Sequence, residues 1–372
     1  MNEIKKYKFC DLYDMASGIS STKGQAGHGA PFLSFGTVFN NYFLPENLID
    51  KMDTTIEEQN TFSIKKGDVF VTRTSETIDE LAMSSVALKD YPNATYSGFV
   101  KRLRPKTTGI VYDKFLAFYL RSKLFRKTMT NNATMTLRAS FNEDIFSFLY
   151  LYLPPYEEQK KIGDLLYNIE MKMLANKKIN DNLEQQAYLI FENMMAKAEA
   201  HRLKGKYTEA KFLASVITGK EDANFSVPNG KYKFFTCSNK PLYCNSYAFH
   251  TSSILIAGNG DFNVKHYSGK FNAYQRTYVL TPKKEYFALL YLASLYRINS
   301  FKSSSSGSIV KFITKSDVEN IPVFIPDDTA YLDELNKLLL AQEQNTLENE
   351  LLVQLRDWLL PMLMNGQATI SD

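Results

Sequence analysis

The sequence predicts an α+β protein with a pseudo-twofold internal repeat: two mixed α/β domains separated by long α-helices that pair as an antiparallel coiled coil. Three observations carry this. Short apolar landmarks recur in the same order in both halves. Each half closes in a proline-bounded strand. Each strand opens a long run with alternating four- and three-residue apolar spacing, the pattern of a coiled-coil seam.

The landmarks run in order. Val69-Phe70-Val71-Thr72 corresponds to Ile254-Leu255-Ile256-Ala257, both strand-like. Leu103-Arg104-Pro105-Lys106 corresponds to Leu280-Thr281-Pro282-Lys283. Phe115-Leu116-Ala117-Phe118-Tyr119-Leu120 corresponds to Phe287-Ala288-Leu289-Leu290-Tyr291-Leu292, two apolar helical runs. Leu149-Tyr150-Leu151-Tyr152-Leu153-Pro154 corresponds to Ile321-Pro322-Val323-Phe324-Ile325-Pro326, and these last two pairs share one constant offset. The boundaries follow: a first mixed domain over 1–153, a helical spacer over 154–204, a second mixed domain over 205–325 and a distal helical region over 326–372. Neither domain shows a regular βαβ alternation.

In the first rod the seam holds Ile162, Leu166, Ile169, Met173, Leu183, Ala187, Ile190 and Met194, interrupted by Asn176 and Asn180. In the second it holds Tyr331, Leu335, Leu338, Gln342, Leu352, Arg356, Leu359 and Leu363, interrupted by Asn345 and Asn349. Asparagines at seam positions lower stability but specify register, so all four are candidate register residues, brought together by antiparallel pairing. Pro155, Glu157 and Glu158 suit a helix start, with acids at the positive dipole end. Lys204-Gly205 suits a stop. A helix from 157 to 203 is roughly 70 Å long at 1.5 Å per residue, enough to hold two domains more than one turn of DNA apart. Pro361 is expected to end or kink the second rod near Leu360.

With 372 residues, 44% hydrophobic and 13% aromatic, the chain can bury two or three cores. It holds no apolar run of the roughly 18 residues that span a membrane, and Met1-Asn2-Glu3-Ile4-Lys5-Lys6 lacks a signal-peptide core. Cys10, Cys237 and Cys244 form no CxxC pair, and a cytoplasmic setting is expected. Residues 205–325 carry 15 basic and 7 acidic groups, whereas 326–372 carry 2 and 9. A basic domain attracts phosphates and an acidic helix suits a protein partner. A duplicated basic module on rigid rods suits a target split into two half-sites, which points to bipartite DNA.

The run Leu153-Pro154-Pro155-Tyr156-Glu157-Glu158-Gln159-Lys160-Lys161-Ile162, followed by Asn182-Leu183-Glu184-Gln185, resembles the central conserved region of type I restriction-modification specificity subunits. Leu355-Arg356-Asp357-Trp358-Leu359-Leu360-Pro361-Met362-Leu363-Met364-Asn365-Gly366 resembles their distal conserved region. The likeness extends over the whole chain, although the second rod opens with Pro326-Asp327-Asp328 in place of a Pro-Pro-Glu-Glu-Gln entry. It implies two target-recognition domains that each read one half of an interrupted duplex DNA sequence. It also implies rods that dock two methyltransferase subunits, with restriction subunits as further partners. Catalysis and S-adenosylmethionine would then belong to the partners, with no cofactor in this chain and no membrane partner. A coiled-coil interaction protein without a DNA role and a stand-alone DNA adenine methyltransferase are the other readings.

Catalytic motifs are only mimicked. Leu153-Pro154-Pro155-Tyr156 has leucine where an amino-methyltransferase needs asparagine to hold the target amino group. Asp144, Glu158 and Lys160 loosely imitate a nuclease triad, but the last two belong to a helix start. Gly258-Asn259-Gly260-Asp261 leads into Phe262-Asn263-Val264, not a dinucleotide-binding helix. His28, His201, His250 and His266 are scattered.

Base reading requires paired donors and acceptors: Arg or Lys for guanine, Asn or Gln for adenine. In the first domain the candidates are Arg73, Thr74 and Ser75, just past an apolar strand, and the basic stretch Lys101, Arg102 and Arg104. Ser97-Gly98-Phe99 before it would allow close approach. In the second domain they are Asn259, Asp261, Asn263, Lys265, Gln275 and Arg276, with a serine run at 303–308 as a further DNA-ordered loop. The strand-following loops differ between the domains, which predicts an asymmetric target.

Overall fold

The computed structural model describes residues 4–20, 22–77, 80–132, 139–260, 262–303 and 312–370. Asp261 and the serine run beyond Ser303 lie outside the described residues. The chain divides into two compact units, Met1–Leu174 with Asn349–Asp372, and Ala175–Glu348.

In the first unit, strand Lys5–Lys8 pairs antiparallel with Tyr150–Leu153, and a short helix, Phe9–Leu12, leads into strand Tyr13–Ser17. That strand is one edge of a four-stranded antiparallel sheet continuing through Val100–Pro105, Val69–Thr72 and Ser84–Val86. A smaller sheet joins Lys51–Met52, Ala26–Leu33 and Thr95–Tyr96. Helix Asp113–Tyr119 is buried along nearly its whole length. Its Phe115, Phe118 and Tyr119 share a core with Phe9, Tyr13, Phe125, Phe141 and Phe146. Such rings each remove a large apolar surface from water, which makes them the main cohesive element here.

The second unit repeats the order. Strand Gly205–Glu209 pairs antiparallel with Pro322–Pro326, helix Ala210–Leu213 follows, and strand Ala214–Thr218 begins a sheet. This sheet has six strands, continuing through Thr277–Pro282, Phe249–Ala257, Val264–Ala273, Tyr232–Phe235 and Leu242–Cys244. Only Tyr232–Phe235 beside Val264–Ala273 is parallel. Helix Phe287–Ser303 takes the place of Asp113–Tyr119, and its Ala288, Leu289, Leu290 and Leu292 are buried in the core. Thus every paired landmark of the sequence falls on the same element in both units.

The long helices are Tyr156–Glu199 and Ala330–Met364. In the first unit Ile162 and Leu166 of the former share the core with Leu363 and Met364 of the latter. There Asn349 Nδ2 donates to Met173 O at 3.1 Å, and Arg356 Nη1 meets Glu170 Oε2 at 3.3 Å. In the second unit Phe191 and Met194 share the core with Leu332, Leu335 and Leu339. Within each unit, rising numbers on one helix meet falling numbers on the other, so the segments run antiparallel. The seam positions expected from the spacing are all buried or half-buried; Phe191 joins them.

The first helix stop differs from expectation, and of the two outcomes expected at Pro361, an end or a kink, the end does not occur. The first helix ends at Glu199, not near 203, because His201 rather than Gly205 adopts the left-handed conformation, at φ 53°. His201 N donates to Ala198 O and Arg202 N to Lys197 O, the two reversed hydrogen bonds that close a helix end. Gly205 instead lies in a strand, where a Cβ would collide with the Ile325 carbonyl. Pro361 does not end the second helix either. Proline inside a helix costs about 3 kcal/mol, but burial of Leu363 and Met364 offsets it. The stop comes at Gly366, φ 68°, where Gly366 N donates to Leu363 O and Gln367 N to Met362 O.

Side-chain amides tie the domains to the rods in a repeated manner. Buried Gln159 accepts from Tyr112 N and donates to Ile110 O and Pro154 O, securing the start of helix Asp113–Tyr119. Asn336 accepts from Ala288 N and donates to Glu285 O, securing the start of Phe287–Ser303. Gly163 allows the rod to approach the first of these helix starts: a Cβ there would lie 2.6 Å from Phe115 N.

Candidate nucleic-acid interface

The strand-following loops of the two units have one hydrogen-bonded frame. In the first, Arg73 N donates to Phe99 O at 2.8 Å, Phe141 N to Arg73 O at 2.7 Å, and Val100 N to Ser97 O at 2.9 Å. In the second, Gly258 N donates to Arg276 O at 2.8 Å, Ile313 N to Gly258 O at 2.9 Å, and Thr277 N to Tyr274 O at 2.8 Å. Arg73 therefore corresponds to Gly258, and Phe99 to Arg276. Each frame joins the loop after one central strand to the turn before its neighbour, Val100–Pro105 or Thr277–Pro282. These backbone bonds hold the exposed side chains on a firm platform.

In the first platform Arg73 is exposed, and its Nη1 reaches Gly98 O at 3.5 Å. Thr74 and Ser75 are half-buried in a short strand paired with Ala139–Ser140, and Ser75 Oγ accepts from Thr77 N. Lys101 Nζ donates to Ser17 Oγ at 2.8 Å. Partial burial, and then the nearby charge of Arg73, hold the Lys101 ammonium below the usual lysine range, with Glu143 opposing. Arg73 and Lys101 thus concentrate positive charge at one place, the arrangement that attracts a phosphate.

The basic stretch 101–104 does not form one surface. Side chains alternate across a strand, so Arg102 and Arg104 face away from Lys101. Arg104 forms a bidentate pair with fully buried Asp68, Nε to Oδ1 at 2.7 Å and Nη2 to Oδ2 at 2.6 Å. The hydrogen bonds to Asp68 raise the Arg104 pKa above the usual arginine value. Arg102 Nη1 donates to Ser63 O at 2.7 Å, and its guanidinium lies 5.4 Å from the Tyr96 ring centre. Both arginines secure the segment around Ser63 and Asp68 to the sheet.

In the second platform Gln275 and Arg276 are exposed, and Asn259 is half-buried beside them. Asn263 and Lys265 hold the neighbouring loop. Asn263 Nδ2 donates to Cys237 O at 2.7 Å, and Lys265 Nζ donates to Thr236 O at 3.1 Å and also to Ser238 O. Burial pushes the Lys265 pKa down to about 8. Cys237 Sγ in turn contacts Arg276 O at 3.5 Å, so this loop supports the turn that carries Arg276.

Phe99 is the exposed group whose weight residue chemistry understates. The residue is 65% exposed and lines an open concavity with Phe35, Phe39, Thr74, Ser75 and the acidic Glu76 and Glu80. The sequence signal was its place just before a basic strand, after a glycine. Among the described residues, no group of three His, Cys, Asp or Glu side chains is placed to hold a metal ion. No helix among them is long and apolar enough to cross a membrane.

The family model of the type I restriction modification DNA specificity domain matches residues 4–185 and again 195–352, and the chain belongs to that family. The two matches give the internal repeat an independent basis. The chain is 40% identical over 172 residues to the type I restriction enzyme EcoDI specificity subunit of Escherichia coli, a stretch covering 44% of this chain and 38% of that protein. It therefore aligns with less than half the length of this curated relative. The fold is similar to the crystal structure of the type I restriction-modification S subunit from M. genitalium, with a TM-score of 0.64 at 15% identity over 97% of this chain and 96% of that one. The HsdS subunit from Thermoanaerobacter tengcongensis aligns at a TM-score of 0.38 and 13% identity over 98% and 97%.

Proposed function

We propose that this chain is the non-catalytic specificity subunit of a type I restriction-modification complex and reads an asymmetric, bipartite duplex DNA target. The observation that carries the reading is the shared platform frame, occupied by Arg73 and Phe99 in one unit and by Gly258 and Arg276 in the other. A repeated frame with unlike side chains suits two half-sites with unlike bases. Family membership and the likeness to the EcoDI subunit support a role in sequence specificity.

In this reading 1–153 and 205–325 are target-recognition domains. The helical regions 154–204 and 326–372 scaffold two methyltransferase subunits and, in a restriction assembly, restriction subunits. S-adenosylmethionine is bound by the methyltransferase subunits, which supply the chemistry, and the complex works in the cytoplasm on host DNA. Asn176, Asn180, Asn345 and Asn349 set the helix register on which this scaffold depends.

Methylation mapping by long-read sequencing, in a host expressing the chain with its methyltransferase partner, tests the proposal. An interrupted motif with two unlike halves and one modified adenine on each strand is expected. A palindromic motif would remove the asymmetry, and no new motif from a soluble complex would overturn the proposal.

A further inference from the structure

Phe99 and Arg276 occupy the same position of the shared frame. Each accepts, through its backbone carbonyl, the N–H of the residue after the central strand. Both are held on rigid turns. Phe99 N donates to Ser97 Oγ at 3.2 Å, and the preceding Gly98 is pressed so closely that a Cβ would lie 2.9 Å from Ile19 O. Gln275 N donates to Glu221 O at 2.9 Å, and Cys237 contacts the Arg276 carbonyl. Both side chains point into solvent from these fixed backbones.

Phe99 is 65% exposed on a fixed turn and lines one open concavity with Phe35 and Phe39, so its ring offers an apolar contact surface at this end of the sheet. Arg73 stands beside it, with its guanidinium on the Gly98 carbonyl, and Lys101 adds a second positive charge nearby. A phosphate drawn to these cations would bring base edges to the ring. The thymine C5-methyl is the apolar feature of the major groove, whereas an arginine fork matches guanine O6 and N7.

We infer that Phe99 and Arg276 are paired specificity-determining residues: Phe99 selects thymine by contact with its methyl group in one half-site, and Arg276 selects guanine in the other. This rests on the specificity-subunit reading and assigns one base to each platform.

The test uses the chain assembled with its methyltransferase partner and a panel of duplexes carrying single-base changes in each half of the mapped motif. Phe99→Ala is expected to lower the preference for thymine at one base pair of one half-site by about 5- to 100-fold, leaving the other half unchanged. Arg276→Ala is expected to do the same for guanine in the opposite half. Phe99→Arg, which copies the second platform, should shift the affected base pair toward guanine. If wild type shows a bipartite motif but both alanine variants retain its full selectivity, the inference fails and the specificity reading stands. A variant that assembles yet loses binding to every duplex assigns its residue to the framework and also overturns the inference. If wild type modifies no bipartite motif, the underlying reading fails as well.

Discussion

Asn345 donates a hydrogen bond to Asn180, Nδ2 to Oδ1 at 2.9 Å, between antiparallel helix segments of the second unit. Asn180 Nδ2 continues to Gln342 O and Thr346 Oγ1, both at 3.1 Å, and Gln342 Nε2 returns to Asn180 O. Asn176 Nδ2 reaches Glu348 Oε2 at 2.7 Å. The polar gap in the apolar seam is therefore filled by side chains that hydrogen-bond across the two segments.

This arrangement predicts coupling between the two asparagines. Asn345→Leu alone leaves the Asn180 amide oxygen without its donor and should lower stability by about 1–2 kcal/mol. The double variant Asn180→Leu with Asn345→Leu should recover that loss, since leucine at both seam positions restores apolar packing. Denaturant unfolding of the four species in a double-mutant cycle measures the coupling. Strictly additive effects would sink the idea.

The division of the basic stretch predicts two different phenotypes. Arg73→Ala with Lys101→Ala should reduce the slope of log binding constant against log salt by about 0.9 per lost phosphate contact, roughly 1.8 together. Arg104→Met should leave the slope unchanged. It strands the buried Asp68 carboxylate, however, and should destabilise the first unit by about 3–5 kcal/mol. Salt titrations of DNA binding and urea unfolding, run on the same proteins, separate the outcomes. A shallower salt slope in Arg104→Met would refute the assignment.

Lys265 predicts a pH dependence. Burial brings its folded-state pKa from 10.5 down to about 8. Below about 8 both folded and unfolded states are charged, and the burial cost is fully felt. Between about 8 and 10.5 the unfolded chain binds more protons, so this group makes stability rise with pH. Wild type should therefore gain stability relative to Lys265→Met on going from pH about 7 to pH about 9.5. A difference that does not change with pH contradicts the burial argument.

Much of the architecture was legible in the chain because it is written in periodicity. Landmarks such as Val69–Thr72 and Ile254–Ala257 mark central strands, and the four-and-three spacing marks the helix seam whatever lies around it. Helix ends were less legible. His201 and Gly366 close the rods because the surrounding packing sets where the last turn is buried, which outweighs local signals at Gly205 and Pro361. In the platforms, the sequence located the loops but not the roles within them. Arg102, Arg104 and Lys101 look alike as neighbours in a string.

The repeat, the paired rods, their asparagine interruptions and the positions of the polar loops depend on residues close together or regularly spaced, so the order of amino acids alone specifies them. Which cations face solvent and which are committed to buried partners depends instead on contacts between distant segments. Asp68 and Arg104 are distant in the chain, and burial makes their attraction strong enough to commit the arginine. Only the tertiary structure, likewise, aligned Phe99 with Arg276, because that equivalence lies in backbone hydrogen bonds between strands and not in the identity of either side chain.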